Sequence, residues 1–311
     1  MEKVRTILSS LGGEGFSVSL DGGRILLDKV PRWVKDGKVL IRLVTPGGRT
    51  LFSGRCRFPC QATPVSLPDG TNFLKIWGLS EDGCFHPLHA GDGLPVDIRN
   101  GNACFVIPRT FEGNKDLFLY MTGEFNRKYD SAVVPCTAGF PEEVSSLAAT
   151  LVKNCYTQYE KVLAVHDWVA GHIYYDEDAV ADGSYEDECY DPLSVLLDRK
   201  AVCQGYSSLS MALLCCAGVR TVVMSCFALG QGISGGWENL DNVDGEANHA
   251  INMAYADDRW VIFDATWDSR LRYRDGRFQP CTGPGLTRLM FDPTLAFLSF
   301  SHRLIGPESW I

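Results

Sequence analysis

The sequence predicts an α+β protein in two parts: a β-rich region over residues 1–125 and a helix-then-sheet region over residues 126–311. Three observations predict it. Alternating apolar runs separated by Gly/Pro turns fill the first hundred or so residues. From Pro141 the apolar residues recur at helical spacing instead. Beyond Gly218, β-branched runs return and close around a two-aspartate turn.

Each element has its own signal. IRLVTPGGRTLFSGRC sets two alternating runs about a Pro-Gly-Gly turn, which predicts a hairpin. SLPDGTNFLKIWGLSEDG repeats the pattern after a Pro68-Asp69-Gly70 turn, and NACFVIPRT and DLFLYMTG add strands. Short strands with Gly/Pro turns make a sandwich of Ig-like type the expected arrangement. PEEVSSLAATLVKNC reads as an amphipathic helix with Pro at its start and acids in its first turn. QYEKVLAVHDWVAGHIYYD places Val162, Val165, Val169 and Ile173 on one helical face. YYDEDAVADGSYEDECYD, with eight acids and no base, is expected to be a solvated loop. DPLSVLLDRK opens a short helix, and KAVCQGYSSLSMALLCCAGV follows as a longer one with Leu209, Leu213, Cys216 and Ala217 toward the core. VRTVVMSCFAL is a strand, and GQGISGGWENLDNVDGEAN is a long glycine-rich loop. HAINMAYADDRWVIFDATWDS makes two strands about Asp257-Asp258, and FDPTLAFLSFSHRL is expected to add one more.

Composition narrows the function. A chain of 311 residues with 45% hydrophobic content can bury two cores. A net charge of −9 argues against a nucleic-acid groove, and no apolar run is long enough to span a bilayer. MEKVRTILSSLGGEG has no sustained apolar stretch of signal-peptide kind. A cytoplasmic location is therefore expected, or an extracellular one if a leader precedes Met1. The twelve cysteines contain no CxxC pair. RCRFPC with Cys84 is the nearest approach to a zinc pattern, and free thiols are the better reading.

The chemistry centres on Cys203, His249 and Asp264. Cys203 stands where a loop becomes a helix, so free N–H groups and the positive end of the helix dipole favour its thiolate. His249 opens a strand directly after the glycine-rich loop. With a hairpin about Asp257-Asp258, paired positions put Ile251 opposite Asp264 and His249 opposite Thr266. His249, Ile251 and Asp264 then share a sheet face, and His249 and Asp264 are diagonal neighbours. An aspartate there accepts the imidazole N–H and fixes its tautomer, and the imidazolium supports the thiolate. The N–H groups of Cys203 and Gln204 are candidate donors to an oxyanion, and Tyr190 is a further one. Trp237 is a candidate wall of a substrate cleft.

VHDWVAGHIYYD, DPLSVLLDRKAVCQGYSSLSMALL, NHAINMAYADDRWVIFDATWDS and FDPTLAFLSFSHRL, taken in this order, resemble the transglutaminase-like superfamily, which shares its core with papain-like thiol proteases. The resemblance runs from about Phe105 to His302 and looks most like bacterial members with a β-rich N-terminal domain. It implies Cys203 as nucleophile, His249 as general base and acid, and Asp264 as orienter, with no metal and no cofactor. Ile251 departs from the family, which commonly has an aromatic two residues after the histidine; Ile251 is thus a candidate substrate contact. His166 and Asp167 match the family's His-Asp-Trp element and are expected to be structural, as is His302.

These residues imply a cysteine-dependent acyl-transfer enzyme acting on peptide or carboxamide bonds through a thioester at Cys203. Water as acceptor makes it a protease or amidase, and a lysine amine makes it a protein-crosslinking transglutaminase. Two alternatives lie outside catalysis by thiol: a scaffold that keeps the fold without turnover, and a metal site on Cys203, His249 and Asp264. The expected partner is a protein or peptide substrate, with no nucleic acid and no membrane insertion; the sequence is silent on oligomeric state.

Overall fold

The computed structural model describes residues 2–12, 15–62, 67–89, 93–108, 139–184, 190–230, 237, 247–281 and 283–307. Two compact units emerge. One draws on residues 1–115, 228–244 and 293–303, the other on 116–227, 245–292 and 304–311.

The first unit is built from two antiparallel sheets. The larger contains β1 (Glu2–Val4), β5 (Lys38–Val44), β6 (Thr50–Arg57), β8 (Gly70–Leu79), β9 (Phe85–Pro87), β10 (Leu94–Arg99) and β11 (Asn102–Ile107), in the order β1-β11-β10-β8-β5-β6 with β9 on β8. The smaller contains β2 (Thr6–Leu8), β3 (Ser17–Asp21), β4 (Arg24–Lys29) and β7 (Cys60–Ala62). Strand alternation turns Leu20 and Ile25 of the smaller sheet toward Leu43, Leu74, Val96 and Ile98 of the larger, and all are buried. The hairpin expected in IRLVTPGGRTLFSGRC is the β5–β6 pair, and its turn uses Gly48 at φ 79. DLFLYMTG lies outside the described residues. Cys56, Cys60 and Cys84 form no common cluster among the described residues, where every cysteine is a free thiol.

The tail corrects one expectation. FDPTLAFLSFSHRL is not one strand: Leu295–Leu298 turns as a short helix before β19 (His302–Pro307) begins. Thr294 caps that helix, its Oγ1 accepting from Phe297 N at 3.3 Å. Phe297 then meets Phe16 edge-on at 5.6 Å, and its burial outweighs the strand propensity of the run.

The second unit is helices against a sheet. Its first four helices among the described residues are α1 (Glu142–Val152), α2 (Gln158–His172), α3 (Glu177–Asp182) and α4 (Pro192–Asp198). Helix α2 begins with a reciprocal capping box between Thr157 and Glu160. Helix α5 (Cys203–Cys216) is buried almost all round, with Tyr206, Leu209, Ala212, Leu213 and Leu214 at or below 1% exposure. A helix buried on nearly every side is the hub of its core. Its neighbours there include Val144 and Ala148 of α1, Val162, Val165 and Val169 of α2, and Val195 of α4. The sheet runs β16 (Arg259–Phe263), β15 (His249–Ala256), β14 (Thr221–Ala228), β19. A second sheet runs β13 (Lys200–Ala201), β12 (Tyr174–Asp176), β17 (Arg272–Arg274), β18 (Arg277–Gln279). The acidic stretch is not wholly a loop: its first residues end β12 and form α3, because Asp176 caps the helix by accepting from Ala179 N at 3.0 Å. Among the described residues no helix is long and apolar enough to cross a membrane.

Candidate active site

The β15–β16 hairpin positions the site. Asn252 pairs with Phe263 and Ala256 with Arg259, the register expected from the sequence. Asp257 and Asp258, at φ 48 and 65, make the left-handed turn that this two-residue connection requires. Asp264 departs from the expectation. It is not a strand residue facing Ile251 but the N-cap of α6 (Ala265–Asp268), so Thr266 lies in a helical turn and does not face His249. The cause is local. The Asp264 carboxylate accepts from Trp267 N at 3.0 Å, an alternative to the ladder that an aspartate offers readily.

That cap leaves the second carboxylate oxygen free to turn toward β15. His249 Nε2 donates to Asp264 Oδ2 at 2.7 Å, and Asp264 is 2% exposed. With Nε2 taken, Nδ1 is the nitrogen that meets Cys203, whose thiol hydrogen-bonds the His249 side chain and the Ala250 N–H. Helix α5 brings Cys203 there as its first residue. Cys203, His249 and Asp264 are thus drawn together from a helix start, a strand start and a helix cap.

Electrostatics follow from this packing. Burial works to raise the Cys203 thiol, but the His249 charge and hydrogen bond and the Ala250 N–H outweigh it, so its pKa falls below the ordinary 9.0. Burial likewise disfavours the His249 cation, yet the Asp264 and Cys203 charges prevail and push it up to about 10. Both shifts favour a thiolate–imidazolium pair at neutral pH.

The other sequence candidates lie as follows. Gln204 is the second residue of α5, half-buried, with its carbonyl accepting from Ser208 Oγ at 2.9 Å. Tyr190 is half-buried and immediately precedes Asp191, the cap of α4. Ile251 is 1% exposed and pairs with Met224. Trp237 belongs to the other unit, where its Nε1 donates to Ser299 O at 2.9 Å. Cys215 is half-buried, and Cys216 packs against the helical core.

His166 and Asp167 belong to a buried polar cluster. His166, fully buried, is bonded by both ring nitrogens: Nδ1 to Asp167 Oδ1 and Nε2 to Asp268 Oδ2, each at 3.0 Å. Burial opposes its charge, but the two carboxylates prevail and raise its pKa to about 9. Asp167 is bridged in turn by Arg288, and Asp268 accepts from Thr287 Oγ1 at 2.6 Å and from the N–H groups of Leu289 and Met290. Asp268 escaped the sequence reading. Its partner is 102 residues away, and the one available signal was its place four residues after Asp264 in DATWD.

Residues 145–265 match the sequence family described as the transglutaminase-like superfamily. The chain is 30% identical over 128 residues to the Kyphoscoliosis peptidase of Mus musculus, covering 41% of this chain and 18% of that protein. The Homo sapiens Kyphoscoliosis peptidase gives 30% over 129 residues, with the same coverage. The chain therefore spans under a fifth of the length of these curated relatives. Among solved structures, a candidate cysteine protease from Cytophaga hutchinsonii is 18% identical, covering 52% of this chain and 42% of that one, with a TM-score of 0.32. Cys203 at the head of the hub helix, His249 at the start of β15 and Asp264 at the cap of α6 all fall within residues 145–265, which form a transglutaminase-like domain.

Proposed function

We propose that the protein is a cysteine-dependent acyl-transfer enzyme that hydrolyses peptide or carboxamide bonds. The observation that carries this reading is that one imidazole, His249, bonds Asp264 at 2.7 Å and also hydrogen-bonds the Cys203 thiol. A carboxylate can only accept, so Nε2 carries a proton and Nδ1 is the nitrogen that exchanges one with sulfur.

The steps follow from that polarity. The Cys203 thiolate adds to the carbonyl carbon, and charge moves onto the carbonyl oxygen. The N–H groups of Cys203 and Gln204, at the open end of α5, are suited to hold that oxygen. The C–N bond breaks as His249 delivers its Nδ1 proton to the departing amine, which leaves a thioester on Cys203. Water then gives a proton to His249 and its oxygen to the acyl carbon. The C–S bond breaks, the carboxylic acid departs, and the thiolate–imidazolium pair is restored. Asp264 does not take the proton; it holds the ring and its charge.

Incubation of the protein with a peptide library, with and without a primary amine, tests this by mass spectrometry. The expected result is cleavage or deamidation that disappears in Cys203→Ala. Amine incorporation in place of hydrolysis would move the reading to a transglutaminase, and no modification at all would favour the scaffold.

A further inference from the structure

Asp264 is not held by its side chain alone. Its backbone N–H donates to Met290 O at 3.0 Å, and its carbonyl accepts from Asp268 N at 3.2 Å. Met290 is itself pinned, because its N–H donates to the Asp268 carboxylate at 3.0 Å. Thr287 Oγ1 and Leu289 N donate to the same carboxylate. His166 Nε2 closes the set at 3.0 Å. One carboxylate thus gathers the 287–290 segment and the end of α6, and both ends of that grip reach the backbone of Asp264.

We propose that His166 and Asp268 are positioning residues for the active site: they act through Met290 and α6 to set where the Asp264 carboxylate meets His249. The proposal rests on the reading of Cys203 as nucleophile. The physical argument is one of tolerance. The His249–Asp264 contact is short, and a carboxylate displaced by about 1 Å loses the hydrogen bond that fixes the ring. Asp264 sits one residue beyond the end of β16, and there the Met290 and Asp268 contacts hold its main chain. Removing the charge of Asp268, or the donor that faces it, loosens this grip while the hub helix and its hydrophobic core remain. His166 has no nitrogen left for substrate, so its effect on chemistry is indirect.

The rate of Cys203 alkylation by iodoacetamide, followed across pH in the full chain, is the readout. A merely structural residue would lower the melting temperature without moving this profile. In the wild type the thiolate forms with a midpoint below 9.0. Asp268→Asn and His166→Leu should each raise that midpoint by about one unit, a tenfold loss of thiolate at a fixed pH below it. His166→Gln, whose amide still donates, should recover part of the shift. Val144→Ala, a cavity in α1, which carries no member of the polar cluster, should lower the melting temperature and leave the profile in place. If Asp268→Asn does not fold, Thr287→Val, which removes one donor, decides by a smaller shift in the same direction. A wild-type profile in the folded polar variants, or an equal shift in Val144→Ala, overturns the proposal. Failure of the wild type to label preferentially at Cys203 overturns the nucleophile reading instead, and is seen before any substitution is made.

Discussion

The protein contains two histidine–aspartate pairs whose aspartates stand four residues apart in DATWD, and they do different work. His249 meets Asp264 at 2.7 Å and His166 meets Asp268 at 3.0 Å. Both imidazoles are raised, to about 10 and about 9, because carboxylates outweigh burial. The difference lies in the second ring nitrogen. In His166 it meets another carboxylate, Asp167, so the cation is closed on both sides and locked in the core. In His249 it faces a thiol, and the proton has somewhere to go. A buried imidazolium is a staple when both neighbours only accept, and an acid–base group when one neighbour can exchange a proton.

The largest expected effect breaks the reactive pair. Cys203→Ala should abolish the proposed turnover, and His249→Ala should lower it by about 10³-fold or more. Cys203→Ala should keep the wild-type unfolding transition to within about 1 kcal/mol by denaturant titration, whereas His249→Ala strands the buried Asp264 carboxylate and should cost about 3 kcal/mol. Asp264→Asn should also lower turnover by about 10³- to 10⁴-fold, since a flipped amide favours the wrong tautomer.

Breaking the closed pair should act on stability as well as on the Cys203 profile. Asp268→Ala leaves a buried cation and three stranded donors, so stability should fall by about 3–5 kcal/mol. An urea titration that finds less than about 1 kcal/mol would mean that water replaces the carboxylate.

The pH dependence sharpens the comparison further. His166 is raised in the folded chain, so its contribution to stability is complete below its ordinary 6.5 and is lost as pH rises through about 9. Stability should therefore decline across that window in the wild type, and His166→Gln should flatten the decline. The smallest effect belongs to the other cysteines of α5. Cys215→Ala and Cys216→Ala should leave alkylation of Cys203 unchanged and cost about 1 kcal/mol or less, since both are only half-buried.

Much of this was legible in the sequence. The β15–β16 register followed from a two-residue aspartate turn, and the hub helix from its apolar spacing. Cys203 at the helix start followed from the change between loop and period. Asp264 was misplaced on the strand because period-two alternation continues through DAT, while capping depends on a backbone N–H three residues on. The short helix at Leu295–Leu298 was hidden similarly behind a β-prone run. Asp268 was hidden for a different reason. Its meaning depends on His166 and Met290, and contacts of that kind are fixed by tertiary packing and leave no local pattern.

One measurement bears most directly on the central claim: competitive iodoacetamide labelling of the intact protein at mildly acidic pH, with site assignment by mass spectrometry. The account predicts that Cys203 labels first and that His249→Ala removes its advantage. Equal labelling of Cys203, Cys215 and Cys216 in the folded wild type would contradict it.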